Sequence, residues 1–357
     1  MNHIAFLALS QAHQHLHWLP VALRLARQPG VRVTVLSSSR AGLAFIQGYD
    51  PEGTLRLRWL PTPTVRRDGL FTPPPRRWAL RLYRRYIGRF ATVVTAETTS
   101  SLLKRFPSFK SRLVLIKHGA GDREGGYKSD YRFFDLTLVA GEKDRRRLIE
   151  RGLATEENCV VAGYAKFELV KPSARLFPDD NPVALYNPHF DPAVSSWFSD
   201  GPALIAAMAA IPHWNFVVAP HVRLKTGPVV RSSAPNVRID RGSVRSVDMS
   251  YTQAASLYIG DASSQVYEFI RTPRPCIFIN AHGVDWRGDE AYDHWRLGQV
   301  IERAEELAPA IARAAALQPQ YEALQRAALA RSIDTSTIAA SERQAQAILA
   351  LARPSGG

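Results

Sequence analysis

An α/β chain of two Rossmann-like halves is the fold this sequence predicts, and three observations predict it. Short apolar runs rich in β-branched residues alternate with helical patterns from one end to the other. The alternation breaks once, at KPSARLFPDDNP (171–182), a stretch with three prolines and no periodicity. The 357 residues are enough for two domains of ordinary size. Apolar strands alternating with helices argue for parallel sheets covered on both faces.

The first half opens with HIAFLAL (3–9) as a strand and a helix expected around Leu19 to Arg27. VRVTVLSS (31–38), a short helix near Ala41 and TLRLRWL (54–60) follow. After the basic, Pro-rich loop PTPTVRRDGLFTPPPRR come a helix, then TVVTAET (92–98), TSSLLKRF, LVLIKHG (113–119), FDLTLVAG (134–141), the helix EKDRRRLIERG and CVVAGY (159–164). The second half repeats the scheme with PVALYNP (182–188), a helix near Trp197 to Ala210, NFVVAPH (215–221), NVRID, SLYIGDA (256–262), the helix SSQVYEFIR and PCIFIN (275–280). An Ala-, Gln- and Arg-rich tail reads as helices. The expected division is residues 1–170, a linker at 171–182, a second domain at 183–335 and a C-terminal helix and tail at 336–357. The two domains are expected to face each other across a cleft that takes the ligand.

Composition narrows the function classes. Apolar residues make up 46% and charged residues 22%, ordinary for a globular protein. No apolar run reaches 18 residues, so no spanning helix is expected. MNHIAFLALSQAHQHLHW lacks a basic n-region and reads as a first strand, not an export signal. Cys159 and Cys276 lie inside apolar runs and read as buried strand residues. The expected location is cytoplasmic. The net charge of +14 favours anionic partners, with solvated arginines as the plain alternative. Without zinc-finger spacing or an RNP-like strand, nucleic acid is not an expected partner.

Three constellations could carry chemistry. In IKHGAGDREGGY (116–127), His118 stands at a strand end, and Gly119, Gly121, Gly125 and Gly126 permit close backbone approach around Asp122 and Arg123. A histidine there can take a proton from a hydroxyl. In GDASSQVYEF (260–269) a strand ends at Asp261, and Ser263 and Ser264 open a helix suited to a diphosphate. Glu268, one turn on, could reach a ribose; an ordinary cap with a solvated glutamate is the alternative. At two further strand ends stand His189 and the group His221, Arg223 and Lys225, suited to phosphate charge. His13, His15 and His17, spaced by two, are expected in a strand–helix loop and not at a metal. In PRRWALRLYRRYIGRF (75–90), Arg77, Arg81, Arg84 and Arg85 gather opposite Leu80, Tyr83, Tyr86, Ile87 and Phe90. Such a helix could dock on an anionic membrane surface or pack on the sheet with its basic face solvated.

Taken in order, KHGAGDREGG, FDLTLVAGEKDRRRL, VVAGYAKFE, LYNP, APH, DASSQVYEF and PCIFIN resemble the motif series of the CDP-glycerol glycerophosphotransferase family, teichoic-acid polymerase-like enzymes of GT-B fold, over roughly residues 113–350. The loop after His-Gly, Ala262 before the serines, Val222 after the second histidine and LYNPHFD depart from that family's pattern. The resemblance implies a nucleotide-diphosphate donor as substrate, with its phosphates on Ser263 and Ser264 and its ribose on Glu268. It implies His118 as base toward the acceptor hydroxyl, His221 as stabiliser of phosphate, and neither metal nor redox cofactor. The acceptor would be a surface glycan or a lipid-linked precursor, which would put the enzyme at the inner face of the cytoplasmic membrane. Two other readings stay open: a UDP-sugar-dependent glycosyltransferase or sugar-nucleotide 2-epimerase, and a binding relative without turnover.

Overall fold

The computed structural model describes residues 2–63, 68–72, 74–122, 126–170, 175–224 and 226–352. It separates into two compact units. The first comprises residues 1–119, 125–169 and 331–357, and the second comprises 120–124 and 170–330.

The sheet of the first unit has seven strands: β1 (Asn2–Leu7), β2 (Val31–Ser37), β3 (Arg56–Trp59), β4 (Thr92–Thr95), β5 (Arg112–Ile116), β6 (Leu136–Val139) and β7 (Cys159–Val161). All neighbours pair in parallel, in the order β3-β2-β1-β4-β5-β6-β7. Interior strands such as TVVT and LTLV are buried throughout, as expected where helices cover both faces. The edge strand β3 alternates differently, turning Arg56 and Arg58 outward, and charge on an edge discourages further pairing.

The second unit carries six strands: β8 (Val183–Asn187), β9 (Asn215–Val218), β10 (Val237–Ile239), β11 (Leu257–Gly260), β12 (Cys276–Ile279) and β13 (Gln299–Ile301). They too are all parallel, in the order β10-β9-β8-β11-β12-β13. Both sheets reverse direction of strand addition at the same place, next to the first strand: β1/β4 and β8/β11. In open α/β sheets that switch point, at the carboxyl ends of the strands, is where ligands bind.

Several expectations change. The helix after β1 starts at Ala12, not near Leu19, and runs to Ala26 through Pro20. His13, His15 and His17 are therefore helical, and spacing by two turns them to different faces. Among the described residues no cluster of histidine, cysteine and carboxylate side chains could hold a metal. The 75–90 segment is two short helices, Arg76–Leu82 and Arg84–Ile87, interrupted at Tyr83. Leu80, Ile87 and Phe90 are buried in the core on one side of the first sheet. β13 escaped notice because three residues give no periodicity. The linker from Arg175 onward is seated on the second unit: Leu176 and Phe177 are buried, and Asn215 Nδ2 donates to Asp179 Oδ1 at 2.5 Å; residues 171–174 lie outside the described ones.

The C-terminal helix Ala340–Ala352 returns to the first unit. Its Ala345 and Ile348 share a core with Ile4, Phe6, Trp18, Leu19 and Val94. Ser341 donates through N–H (2.8 Å) and Oγ (2.5 Å) to Glu168. No helix among the described residues is long and apolar enough to cross a membrane.

Candidate functional site

In the first unit His118 follows β5 by two residues and spans the switch point. Its Nδ1 lies 2.6 Å from the carbonyl of Ala96, just past β4, and its Nε2 lies 3.0 Å from Nε2 of Gln14, in the first turn of the helix after β1. A carbonyl only accepts, so the proton sits on Nδ1. Nε2 then presents its lone pair, to which the Gln14 amide donates. The ring is exposed on one side and faces the edge of His17 at 6.1 Å between centroids. His17 is buried, and burial, followed by the Lys166 charge, holds it well below the usual histidine range. Sequence reading missed Gln14, because an amide among histidines carries no pattern of its own.

The chain on either side of this histidine is pinned to one buried carboxylate. Lys117 Nζ reaches Asp144 Oδ2 at 3.0 Å, and Tyr127 Oη donates to Asp144 Oδ1 at 2.6 Å. Burial, with Asp144 adding to it, pushes the Tyr127 phenol up, so it stays a donor. Gly119 turns the chain at φ +74, a left-handed conformation that suits glycine.

Gly121 and Asp122, expected on the acceptor side, group with the second unit. A Cβ on Gly121 would come within 2.8 Å of Ser264 Cβ, so only glycine fits. Asp122 is 2% exposed; it accepts from Tyr267 Oη at 2.7 Å and faces His294 Nδ1 at 3.2 Å. His294 Nε2 in turn donates to the Asp261 carbonyl at 2.8 Å. His294 and Tyr267 were invisible to sequence reading because their partner is 172 and 145 residues away. Arg123 lies outside the described residues, as do Glu124 and Lys225.

At the second switch point Asp261 ends β11 and is 1% exposed. Its carboxylate accepts from the N–H groups of His189 (2.9 Å), Ala262 (2.6 Å) and Ser196 (2.8 Å) and from Ser196 Oγ (2.9 Å). Burial pushes this carboxyl up, and the four donors oppose that shift. Asp261 is expected among the donor-binding residues, and its four donors clamp the loop after β8 to the loop after β11. Ser263 is buried, and its Oγ accepts from the Gln265 N–H at 3.3 Å. Ser264 is exposed and makes no side-chain cap. The helix they open, Gln265–Phe269, is only five residues long. Glu268, expected to reach out, is 4% exposed.

His189 and His221 do come together, with ring centroids 5.7 Å apart. Phe190 stacks against both, at 4.2 and 4.8 Å, and the Arg223 guanidinium lies 4.0 Å over the Phe190 ring. The N–H of Asp191 donates to His189 Nδ1 (3.1 Å), and that of Arg223 to His221 Nδ1 (3.2 Å). With Nδ1 an acceptor, each ring carries a proton on Nε2 and can donate from there. A cavity of about 120 Å³ opens beside His221, lined by Trp197, Pro220, Leu224, Thr226 and Arg241 among others.

No family model matches this sequence, and no curated protein matches it. Solved structures do. The UDP-GlcNAc 2-epimerase from Neisseria meningitidis, bound to UDP-GlcNAc, superposes with a TM-score of 0.65 at 11% identity, over 98% of this chain and 100% of that one. A variant of the wall teichoic acid polymerase TagF soaked with CDPG gives 0.64 at 12% identity, over 98% and 88%. The calicheamicin glycosyltransferase CalG4 gives 0.57 at 16% identity over the whole of both chains. The architecture is thus the α/β, GT-B-like one. At these identities the likeness, including that to the teichoic-acid polymerase, is one of fold.

Proposed function

We propose that the protein is a nucleotide-diphosphate-dependent transferase, moving a glycerol-phosphate or sugar group to a hydroxyl of a glycan or lipid-linked acceptor. The observation that carries this reading is the proton placement at His118. Its Nδ1 proton is held on the Ala96 carbonyl, so Nε2 is the basic atom. An acceptor hydroxyl taking the place of the Gln14 amide at Nε2 would lose its proton to that nitrogen as it attacks. The opposite arrangement at His189 and His221, with Nε2–H donors beside Arg223, suits the negative charge of a diphosphate during transfer. Ser264 and the N–H groups at the start of its helix are the proposed phosphate contacts, and Glu268 the proposed ribose contact. His118 is the proposed base, and His221 with Arg223 the proposed charge stabilisers. Fold neighbours that include transferases support the class.

A sugar-nucleotide 2-epimerase is the second reading, supported by the epimerase fold neighbours. Against it, proton abstraction from a sugar carbon calls for accessible carboxylates. Asp122 is buried and held by Tyr267 and His294, and Asp261 is saturated with donors. The test is thermal shift with CDP-, UDP-, GDP- and CMP-linked donors, followed by incubation of any stabilising donor alone. A rise in Tm with one nucleotide class and no epimer supports the transferase. An epimer formed without acceptor would replace it with the second reading.

A further inference from the structure

The Arg76–Leu82 helix buries the apolar face that the sequence made conspicuous, so that face docks on nothing else. Its outer face is the unexpected one. Trp78 is 63% exposed and Leu82, one turn on, is 55% exposed. Arg77 and Arg81 form a parallel stripe at the same spacing, and Arg85 follows in the next helix; all three are exposed. None of these three arginines makes an ion pair among the described residues, whereas Arg76 is paired with Glu97 and Arg84 is turned back onto Phe106 and the Arg81 carbonyl. Tyr83 Oη donates to the carbonyl of Pro61 at 2.7 Å, which ties these helices to the chain leaving edge strand β3. On β3 Trp59 is 44% exposed under the Arg40 guanidinium, with Arg56 and Arg58 turned outward.

We infer that Trp78, Leu82 and their flanking arginines form a docking surface for an anionic phospholipid membrane. Exposed tryptophan and leucine cost free energy in water and gain it at the headgroup–acyl boundary, where an amphipathic indole is suited. Uncompensated arginines beside them match acidic headgroups. A second copy fits poorly, because a two-fold contact would press the same arginine stripe against itself. Nucleic acid would engage the arginines but gives Leu82 no partner. The inference goes beyond the transferase reading and stands without it.

The full-length protein, without nucleotide, is to be sedimented with extruded vesicles of phosphatidylcholine alone or mixed with phosphatidylglycerol. Binding should require phosphatidylglycerol and weaken as salt is raised. The double variant Trp78→Ser, Leu82→Ser should reduce partitioning on the order of tenfold. Arg77→Gln, Arg81→Gln and Arg85→Gln should each reduce it roughly fivefold. Circular dichroism should be unchanged, since the altered side chains are exposed. Equal binding to neutral vesicles, undiminished binding by the Trp78/Leu82 variant, tighter binding to a short DNA duplex than to vesicles, or a dimer abolished by Trp78→Ser would each overturn the inference.

Discussion

His118 in the first unit and the His189–His221 pair in the second are the same residue type, each just past the carboxyl end of a parallel strand, yet their rings are held in opposite ways. Next to Nδ1, His118 has a carbonyl, while His189 and His221 have backbone N–H groups. The first ring therefore offers a lone pair at Nε2 and the other two offer protons. In the proposed roles, what distinguishes a base from a charge stabiliser is the peptide group at Nδ1: the Ala96 carbonyl, 22 residues back, for His118, and the N–H two residues on for His189 and His221. His15 is a third case: buried on the helix behind β1, its ring is pushed by burial from 6.5 down to about 3 and serves neither purpose.

That contrast can be broken most directly by paired substitutions. His118→Ala should lower kcat by about 10²–10⁴ with donor affinity nearly unchanged. His221→Ala should lower kcat by about 10²–10³ and weaken donor binding as well. Steady-state kinetics with a matched binding isotherm separates the two, and loss of donor binding in His118→Ala with turnover intact would remove its role as base. The next effect is on stability and concerns the third histidine. A histidine whose folded-state pKa is depressed leaves the unfolded chain binding the extra proton, so stability falls as pH drops from 6.5 toward 3. His15→Leu should flatten that slope by about 1.4 kcal/mol per pH unit, read from urea unfolding at pH 7 and pH 5. An identical slope in both proteins would mean that His15 is solvated. The smallest effect tests the loop after His118. Gly121→Ala must displace Ser264 and should cost about 1–3 kcal/mol, seen as a lower Tm.

How much of this could be read in advance follows from range. Strands lying in apolar runs, such as β1, β4, β6, β8 and β12, were legible, because local composition decides a buried parallel strand. The start of the Ala12–Ala26 helix was not, since Gln11 is no cap and Pro20 reads as a breaker. His118, His189, His221 and Asp261 were found as strand ends. The proton placement at His118 was hidden, because it depends on the Ala96 carbonyl 22 residues away, and that at His189 and His221 because the conformation of a two-residue turn leaves no mark in composition. Asp122 was noticed only as a loop acid. Its burial rests on Tyr267 and His294, which no local pattern connects to it. The buried face of the basic segment follows from its spacing, and Leu80, Ile87 and Phe90 lie on it, whereas the exposure of Trp78 and Leu82 follows from no local pattern.

The return of Ala340–Ala352 to the first unit has a consequence for biosynthesis. The core around Ile4 and Phe6 includes Ala345 and Ile348, side chains that follow the whole of the second unit in the sequence. Synthesis runs from the N-terminus, and domains that are contiguous in sequence fold as they emerge. The first unit cannot do so: while the second unit is being translated, one flank of the β1 sheet still lacks its covering helix. A ribosome stalled or a chain truncated near residue 335 would leave that apolar flank open to solvent and to chaperones.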